Sequence, residues 1–264
     1  NGTNPHNLLY WWYIMDKIIP TEYKLPLQVT SYDVGANDRL RLSAVLRYQQ
    51  EAGERHLRLA GLGWREMLEM GMVFVTSRWH TVIHRLPRME EEVTLTTWHR
   101  NRKGPRFFRC YEWRDSQGAL LIEGVMQFAL VSVDEHRLLR GDEFMERAPL
   151  PDTDRTVACG DPVRFAVRDL TDSGTYTVRW SDTDRNGHMN NTHYADLMLD
   201  YLPTHPTDET YPCEVDLHFA GECCLGDTLT VSAVREDGVD TVAGATDDGR
   251  RFAARIGWGG GYGL

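Results

Sequence analysis

The sequence predicts an α+β protein built twice over, each half a long helix packed on an antiparallel β-sheet. Three observations carry this. Apolar residues at helical spacing occur twice, around Leu42–His56 and Asn191–Tyr201, and in each half strand-like segments follow. The order strand, polar loop, helix, strands recurs, with Tyr32 to Trp180 and Ser43 to Asn191 sharing one offset of 148 residues. Between the copies, Ala148–Asp161 (APLPDTDRTVACGD) has two prolines, aspartates and a near-terminal glycine, the composition of a linker.

A chain of 264 residues, 41% hydrophobic and 10% aromatic, is long enough for one large domain or two of ordinary size. Its net charge is −10, and no nucleic-acid partner is expected. Five cysteines, two of them adjacent (Cys223, Cys224), match neither a disulfide framework nor a zinc spacing. The expectations are a reducing compartment and no metal. No Ser- and Arg-rich transit segment is visible, so a bacterial cytoplasm is preferred to a plastid.

Residues 1–22 read as an N-terminal arm. Within it Leu8–Met15 (LLYWWYIM) is apolar but too short to span a bilayer, and lacks the flanks of a signal peptide. The first half, 23–147, starts with a strand at Pro26–Tyr32 and a turn at Gly35–Asp38. A long helix follows, with Leu42, Val45, Leu46, Gln49, Ala52, Gly53 and His56 on one side. A short helix (Trp64–Met70) precedes strands at Met72–Arg85, Glu91–Arg102, Arg106–Asp115 and Leu120–Asp134. After the linker (148–161), the second half, 162–264, has a strand at Thr175–Trp180 and a helix from Asn191 to Leu202. Strands near Glu214–Phe219, Thr228–Arg235, Thr241–Ala245 and Phe252–Trp258 complete it.

The chemistry concentrates in Arg179–Tyr201, RWSDTDRNGHMNNTHYADLMLDY. Tyr194, Leu197, Met198 and Tyr201 form one helical stripe, Asn190 or Asn191 suits an N-cap, and Pro203 stops the helix. Asp184, Asn186 and His188 then sit on the loop ahead of a helix N-terminus, where N–H groups and the macrodipole favour developing negative charge. Each residue type is ordinary in a turn; a carboxylate, an amide and an imidazole at i, i+2 and i+4 are less so. At the 148-residue offset their counterparts are Ala36, Asp38 and Leu40, so one active site is expected, in the second half.

The run Asp184-x-Asn186-x-His188-x-Asn190-Asn191-x-x-Tyr194 resembles the motif of the acyl-acyl-carrier-protein thioesterases, plant-plastid enzymes and their bacterial relatives. Phe219-Ala220-Gly221-Glu222-Cys223 is similar to the aromatic-x-x-Glu-Cys segment of that family, and Ser31–Asn37, Tyr48–Ala52 and Val75–Trp98 extend the resemblance across both halves. It implies a tandem (double) hotdog fold. It also implies hydrolysis of fatty acyl-carrier protein to free fatty acid and holo-carrier protein, ending fatty acid synthesis. The catalytic candidates are Asp184, Asn186, His188, Glu222 and Cys223.

His188 suits a proton shuttle, imidazole being the side chain that titrates near neutrality. Asn186 can hold its tautomer or a water, and Asp184 can fix the loop or orient His188. Glu222 and Cys223 leave two mechanisms open, an acyl-enzyme on Cys223 or direct activation of water by Glu222. A carboxylate beside Cys223 disfavours the thiolate, and neighbours in an extended segment face opposite ways, so water is favoured.

By the same resemblance the acyl chain lies in the first half. Gly53 on the inward helix face either leaves room for it or simply permits close helix–sheet contact. No cofactor is expected beyond the phosphopantetheine that arrives on the carrier protein, the expected partner; homodimer formation is an open option. Carrier proteins are acidic, so docking on this acidic chain needs a local basic patch. Arg100–Arg109, with Arg102 and Lys103 at a hairpin tip, is the densest candidate; the bland reading is a solvated edge. Alternatives are an acyl-CoA thioesterase, a double-hotdog enoyl-thioester hydratase and a non-enzymatic acyl-binding module. The hydratase pattern, Asp-x-Asn-Pro-x-His, places His five residues after Asp, against four here.

Overall fold

A computed structural model describes residues 19–260 apart from 136, 148–149, 152 and 208. The arm expected at 1–22 lies largely outside the described residues. In chain order the elements are β1 (Glu22–Gln28), α1 (Leu42–Leu59), α2 (Trp64–Glu69), β2 (Met72–Ile83), β3 (Glu92–Lys103), β4 (Arg106–Asp115), β5 (Leu120–Ser132) and α3 (Gly141–Arg147). The second half adds β6 (Thr171–Thr177), α4 (His193–Asp200), β7 (Thr210–Phe219), β8 (Thr228–Glu236), β9 (Val239–Thr246) and β10 (Gly249–Gly260).

All ten strands join one antiparallel sheet in the order β1-β3-β4-β5-β2-β7-β10-β9-β8-β6. Read from either edge inward the two halves are identical: first strand, third, fourth, fifth, second. The second strands of the copies, β2 and β7, pair at the centre, with Arg78 opposite His218 and Thr81 opposite Val215. This is the tandem hotdog, two sheets fused across a pseudo-twofold seam.

The apolar stripe of α1 is buried as its spacing requires, from Leu42 through Val45, Leu46, Gln49, Ala52 and Gly53 to His56. α4 buries Tyr194, Ala195, Leu197 and Met198. The two helices touch each other and share one core with Trp79, Ile83, Val215 and Leu217 from the seam strands. Burying such large side chains is the main favourable term in folding. Pro26 sits in β1, at the sheet edge, where a missing N–H is tolerated.

On the first half's opposite face, Trp98, Phe108, Cys110 and Val125 are covered by Val157 and Cys159 from the interdomain segment. That segment is held down: the Trp98 indole donates to the Arg155 carbonyl (2.9 Å), and the Arg155 guanidinium lies 3.7 Å over the same ring. A linker-like composition therefore folds here as a strap on the sheet.

Most boundaries shift by a few residues from the sequence reading, and three of the shifts have a clear local cause. β1 and β6 end early because Ser31–Asp33 and Trp180–Asp182 form 3-10 turns, each anchored by a buried aspartate. α4 begins at His193 rather than Asn191, because the Asn190 amide oxygen accepts from both the backbone N and the hydroxyl of Thr192 (2.9 Å each) and forms a turn before the helix. The repeat offset is 149 residues, not 148. Asp33 N donates to Thr30 O as Asp182 N does to Arg179 O, and Gly35 N to Arg39 O as Asp184 N to His188 O.

Candidate active site

The site grows out of the turn that follows β6. Asp182 is buried, and its Oδ2 accepts from the Tyr176 hydroxyl and the Arg179 backbone N (2.7 Å each). This fixes where the chain leaves the sheet. Residues 184–188 then close on themselves: Asp184 N donates to His188 O (2.8 Å) and Gly187 N to Asp184 O (3.0 Å). Gly187 has φ +79, a conformation most side chains avoid. The Asp184 carboxylate accepts from Asn186 N (2.8 Å), so it braces the turn from within. Asn186 is exposed, and His188 is half-buried.

The loop is stitched to the segment after β7. Met189 N donates to Cys223 O (2.7 Å), and His188 bridges to Cys224. This brings the Glu222 carboxylate to 3.4 Å from His188 Nε2, with the carboxylate two-thirds exposed. Asp184, Asn186, His188 and Glu222 thus gather from two segments 38 residues apart in sequence. Cys223 faces the other way. Its side chain is fully buried in the core and hydrogen-bonded with the Tyr194 hydroxyl, and burial pushes its thiol pKa up. The pair lies in an extended connection beyond β7 rather than on the strand, but the alternation expected of neighbours holds.

Residues of the first half, to which the sequence offered no pointer, complete the loop's surroundings. The Trp64 indole N–H donates to Asn186 Oδ1 (3.2 Å). The Arg185 guanidinium stacks 4.6 Å from the same ring and pairs with Glu54 at 3.6 Å. A groove of about 240 Å³ beside the loop is lined from both halves, by Arg47, Gln50 and Glu51 of α1 and by Thr183, Asn190 and His193.

At the true 149-residue offset the first-half turn holds Gly35, Asn37 and Arg39 opposite Asp184, Asn186 and His188. This replaces the Ala36, Asp38 and Leu40 of the sequence reading. Leu40 N donates to Pro87 O (2.9 Å), as Met189 N does to Cys223 O, which sets Leu86 and Pro87 opposite Glu222 and Cys223. Only the amide is shared; the first-half turn has no imidazole–carboxylate pair.

Gly53 lies against the first-half sheet, where a Cβ would meet Arg109 Cδ at 3.3 Å and the Tyr111 hydroxyl at 3.4 Å. The space facing it is filled by these side chains. Arg109 itself is buried and donates to Nδ1 of His56 (3.0 Å) and to Nε2 of His99. Burial, reinforced by the Arg109 charge, lowers the pKa of His56 to about 4 and that of His99 well below its ordinary value. Three cations of the expected basic tip have acidic partners. Arg100 and Lys103 share Asp161 (2.5 and 2.7 Å), Arg102 pairs with Asp142, and Arg109 belongs to the core.

Among the described residues one cluster, His80, Glu214 and Asp216, has donor atoms close enough for a metal, all within 4.8 Å. Both His80 nitrogens are already engaged, Nδ1 by Asp216 (2.9 Å) and Nε2 by the Cys159 carbonyl (3.2 Å). Both partners are acceptors, an arrangement that suits an imidazolium. Burial alone would lower its pKa, but the bond to Asp216 and that carboxylate's charge raise it.

The chain matches the acyl-ACP thioesterase N-terminal domain over residues 20–147 and the acyl-ACP thioesterase C-terminal domain over 168–256. A chloroplastic acyl-[acyl-carrier-protein] hydrolase of Cuphea viscosissima is 24% identical over 222 residues, covering 76% of this chain and 52% of that protein. The chain thus spans about half the length of curated relatives it matches. Among solved structures, an acyl-ACP thioesterase from Bacteroides thetaiotaomicron superposes with a TM-score of 0.81 at 18% identity, over 90% of this chain and 98% of that one. The 12:0-ACP thioesterase from Umbellularia californica gives 0.78 at 20% identity, over 91% and 98%. These superpositions speak to the fold, a double hotdog in all three. Because both family domains are matched, in order and over most of its length, this chain belongs to the acyl-ACP thioesterase family.

Proposed function

We propose that this protein hydrolyses acyl thioesters presented on acyl carrier protein, releasing a fatty acid and the free carrier thiol and so ending chain elongation. The observation that carries the reading is the imidazole–carboxylate pair of His188 and Glu222, 3.4 Å apart at the surface beside Asn186. Family membership supports the substrate class, and the location proposed is a reducing compartment, in keeping with five unpaired cysteines.

Thioester hydrolysis needs a nucleophile, a counterpart for the oxyanion and a proton for the leaving thiolate. Glu222 and His188 together can take a proton from water as its oxygen attacks the acyl carbon. The Asn186 amide can donate to the resulting oxyanion. When the C–S bond breaks, the proton held by His188 passes to the leaving sulfur, and a carboxylic acid and a thiol result. Asp184 holds the turn in shape. Cys223 supports the water route by its burial, which raises its thiol pKa despite the opposing hydrogen bond from Tyr194 and so works against a thiolate nucleophile. No cofactor of the protein's own enters this scheme.

The test is turnover of acyl-carrier-protein substrates of graded chain length, with thiol release as readout, beside acyl-CoA of the same chain. Carrier-protein substrates are expected to be preferred, and His188→Ala to slow turnover roughly 10²–10⁴-fold with the fold retained. A preference for acyl-CoA moves the assignment to a CoA thioesterase, and hydration of a crotonyl thioester moves it to a hydratase. A folded His188→Ala protein with near-normal turnover removes the imidazole from the mechanism.

A further inference from the structure

We propose that Trp64, from the first half, is a positioning residue for the active site of the second, setting the Asn186 amide so that its N–H groups face the reaction; this rests on the functional reading above. An indole nitrogen can only donate, so its contact at 3.2 Å must be with the amide oxygen. That choice determines which way the amide lies. Its NH₂ end points away from Trp64 and makes no hydrogen bond among the described residues, which leaves two donors free for an oxyanion or an attacking water.

The indole is itself held. Glu54 of α1 accepts from the Trp64 backbone N (3.4 Å) and pairs with Arg185 (3.6 Å), whose guanidinium stacks on the indole at 4.6 Å. One carboxylate therefore ties both faces of the clamp to α1, and Arg185 is the immediate chain neighbour of Asn186.

The first-half turn provides an internal control. Its Asn37 also reaches across the halves, but to a carbonyl: Nδ2 donates to Thr207 O (3.5 Å), while Oδ1 accepts from Arg39 N (3.3 Å). Both ends of that amide are engaged, and the N–H end is used for the cross-contact. The catalytic turn has the opposite polarity, because its partner across the seam is a donor. A single change of partner, indole for carbonyl, separates an amide consumed by structure from one free to act.

The experiment compares Trp64→Phe, which keeps an aromatic ring and removes the donor, with Asn186→Ala and the double variant. Trp64→Phe is expected to lower kcat on an acyl-carrier-protein substrate by about tenfold, the scale of one hydrogen bond, with KM changed less than about twofold. In the Asn186→Ala background the same substitution is expected to cost nothing further, because Trp64 acts through that amide. Unchanged kcat, or an equal loss in both backgrounds, overturns the proposal. The bond is also tested without activity, by the indole N–H resonance of Trp64 in nitrogen-labelled protein. Asn186→Ala should shift it and speed its hydrogen exchange, and a resonance indifferent to that substitution overturns the clamp. This second readout stands if Trp64→Phe does not fold. Wild-type inactivity on every thioester defeats the functional reading, and the resonance still decides the clamp.

Discussion

Glu222 and Cys223 are joined by one peptide bond and live in opposite environments. The carboxylate is largely in solvent beside His188, and the thiol is sealed in the core against Tyr194. Glu222→Ala should therefore cost roughly 10²-fold or more in rate, the usual scale for a lost general base. Cys223→Ala should keep most of the activity and instead lose about 1 kcal/mol of stability, from the small void left behind. A nearly inactive Cys223→Ala protein, or an acyl group trapped on Cys223 at the rate of turnover, reverses the assignment. Burial matters equally for His56 and His99, which with the Thr97 hydroxyl accept from Arg109 in the core. Each is neutral when folded: His56 donates through Nε2 to Pro20 O (2.8 Å) and accepts at Nδ1. Their folded pKa values lie below the unfolded value of about 6.5, so the unfolded chain binds more protons as the pH falls. Stability should decline from about pH 6.5 towards pH 4, by up to about 1.4 kcal/mol per pH unit for each group. A thermal midpoint flat across that range in the wild type would contradict this. His56→Gln should show a shallower decline.

At the level of elements, the parts that were legible in the sequence are those governed by local periodicity. The stripe of α1 was readable because burial of one helix face dictates the residue at every third or fourth position, and β3, β4 and β5 were readable from their aromatic and β-branched content, since both of their faces are buried in mid-strand. The i, i+2, i+4 set of the candidate site was readable because a tight turn keeps its side chains within five residues. α3 escaped because it is short. Its Phe144 is buried edge-on against Phe74 and Phe107, partners more than thirty residues away that no local pattern announces. The offset slipped by one because Tyr32 and Trp180, both exposed aromatics, were matched to each other, whereas the buried Asp33 and Asp182 hold the register. Trp64 was illegible for a related reason: its role depends on which loop the seam sets beside it. The hairpin between β3 and β4 is a further case, a basic sequence in which Arg100, Arg102 and Lys103 pair with Asp142 and Asp161. If Arg102 and Lys103 nonetheless dock the carrier protein, changing both to Glu should raise KM for the carrier-protein substrate and spare a small acyl-CoA. The wild-type advantage should then weaken with salt, since exposed charges are screened over about 10 Å at 0.1 M. Equal effects on both substrates, or none, would leave these cations a purely structural part in holding the strap and α3.

For the whole molecule the seam between β2 and β7 decides whether two hotdogs behave as one body. The core runs through it without a break, from Trp79 and Ile83 to Val215 and Leu217, and the active-site turn takes its support from the far side. One polar pair is buried in this seam. His80 and Asp216 stand opposite each other in register, each side chain only about one-twentieth exposed, and the strap closes over them through the Cys159 carbonyl. Removing one member of a buried pair leaves the other without its counter-charge, at a cost of about 3 kcal/mol. Asp216→Ala should therefore lower Tm by roughly 6–12 °C for a chain of this size. The unfolding should stay a single transition, because the main core crosses the seam and draws on both halves. The pH dependence runs opposite to that of His56 and His99. The folded pKa of His80 is raised, so its contribution is fully present below about pH 6.5 and is lost as the pH climbs through the folded value. The gap in Tm between wild type and Asp216→Ala should accordingly be widest in mild acid and narrow as the solution becomes alkaline. Thermal melts of both proteins across that range make the comparison. Two separate transitions in the wild type would mean that the halves unfold independently, and a gap that ignores pH would mean that the seam is held by apolar packing alone.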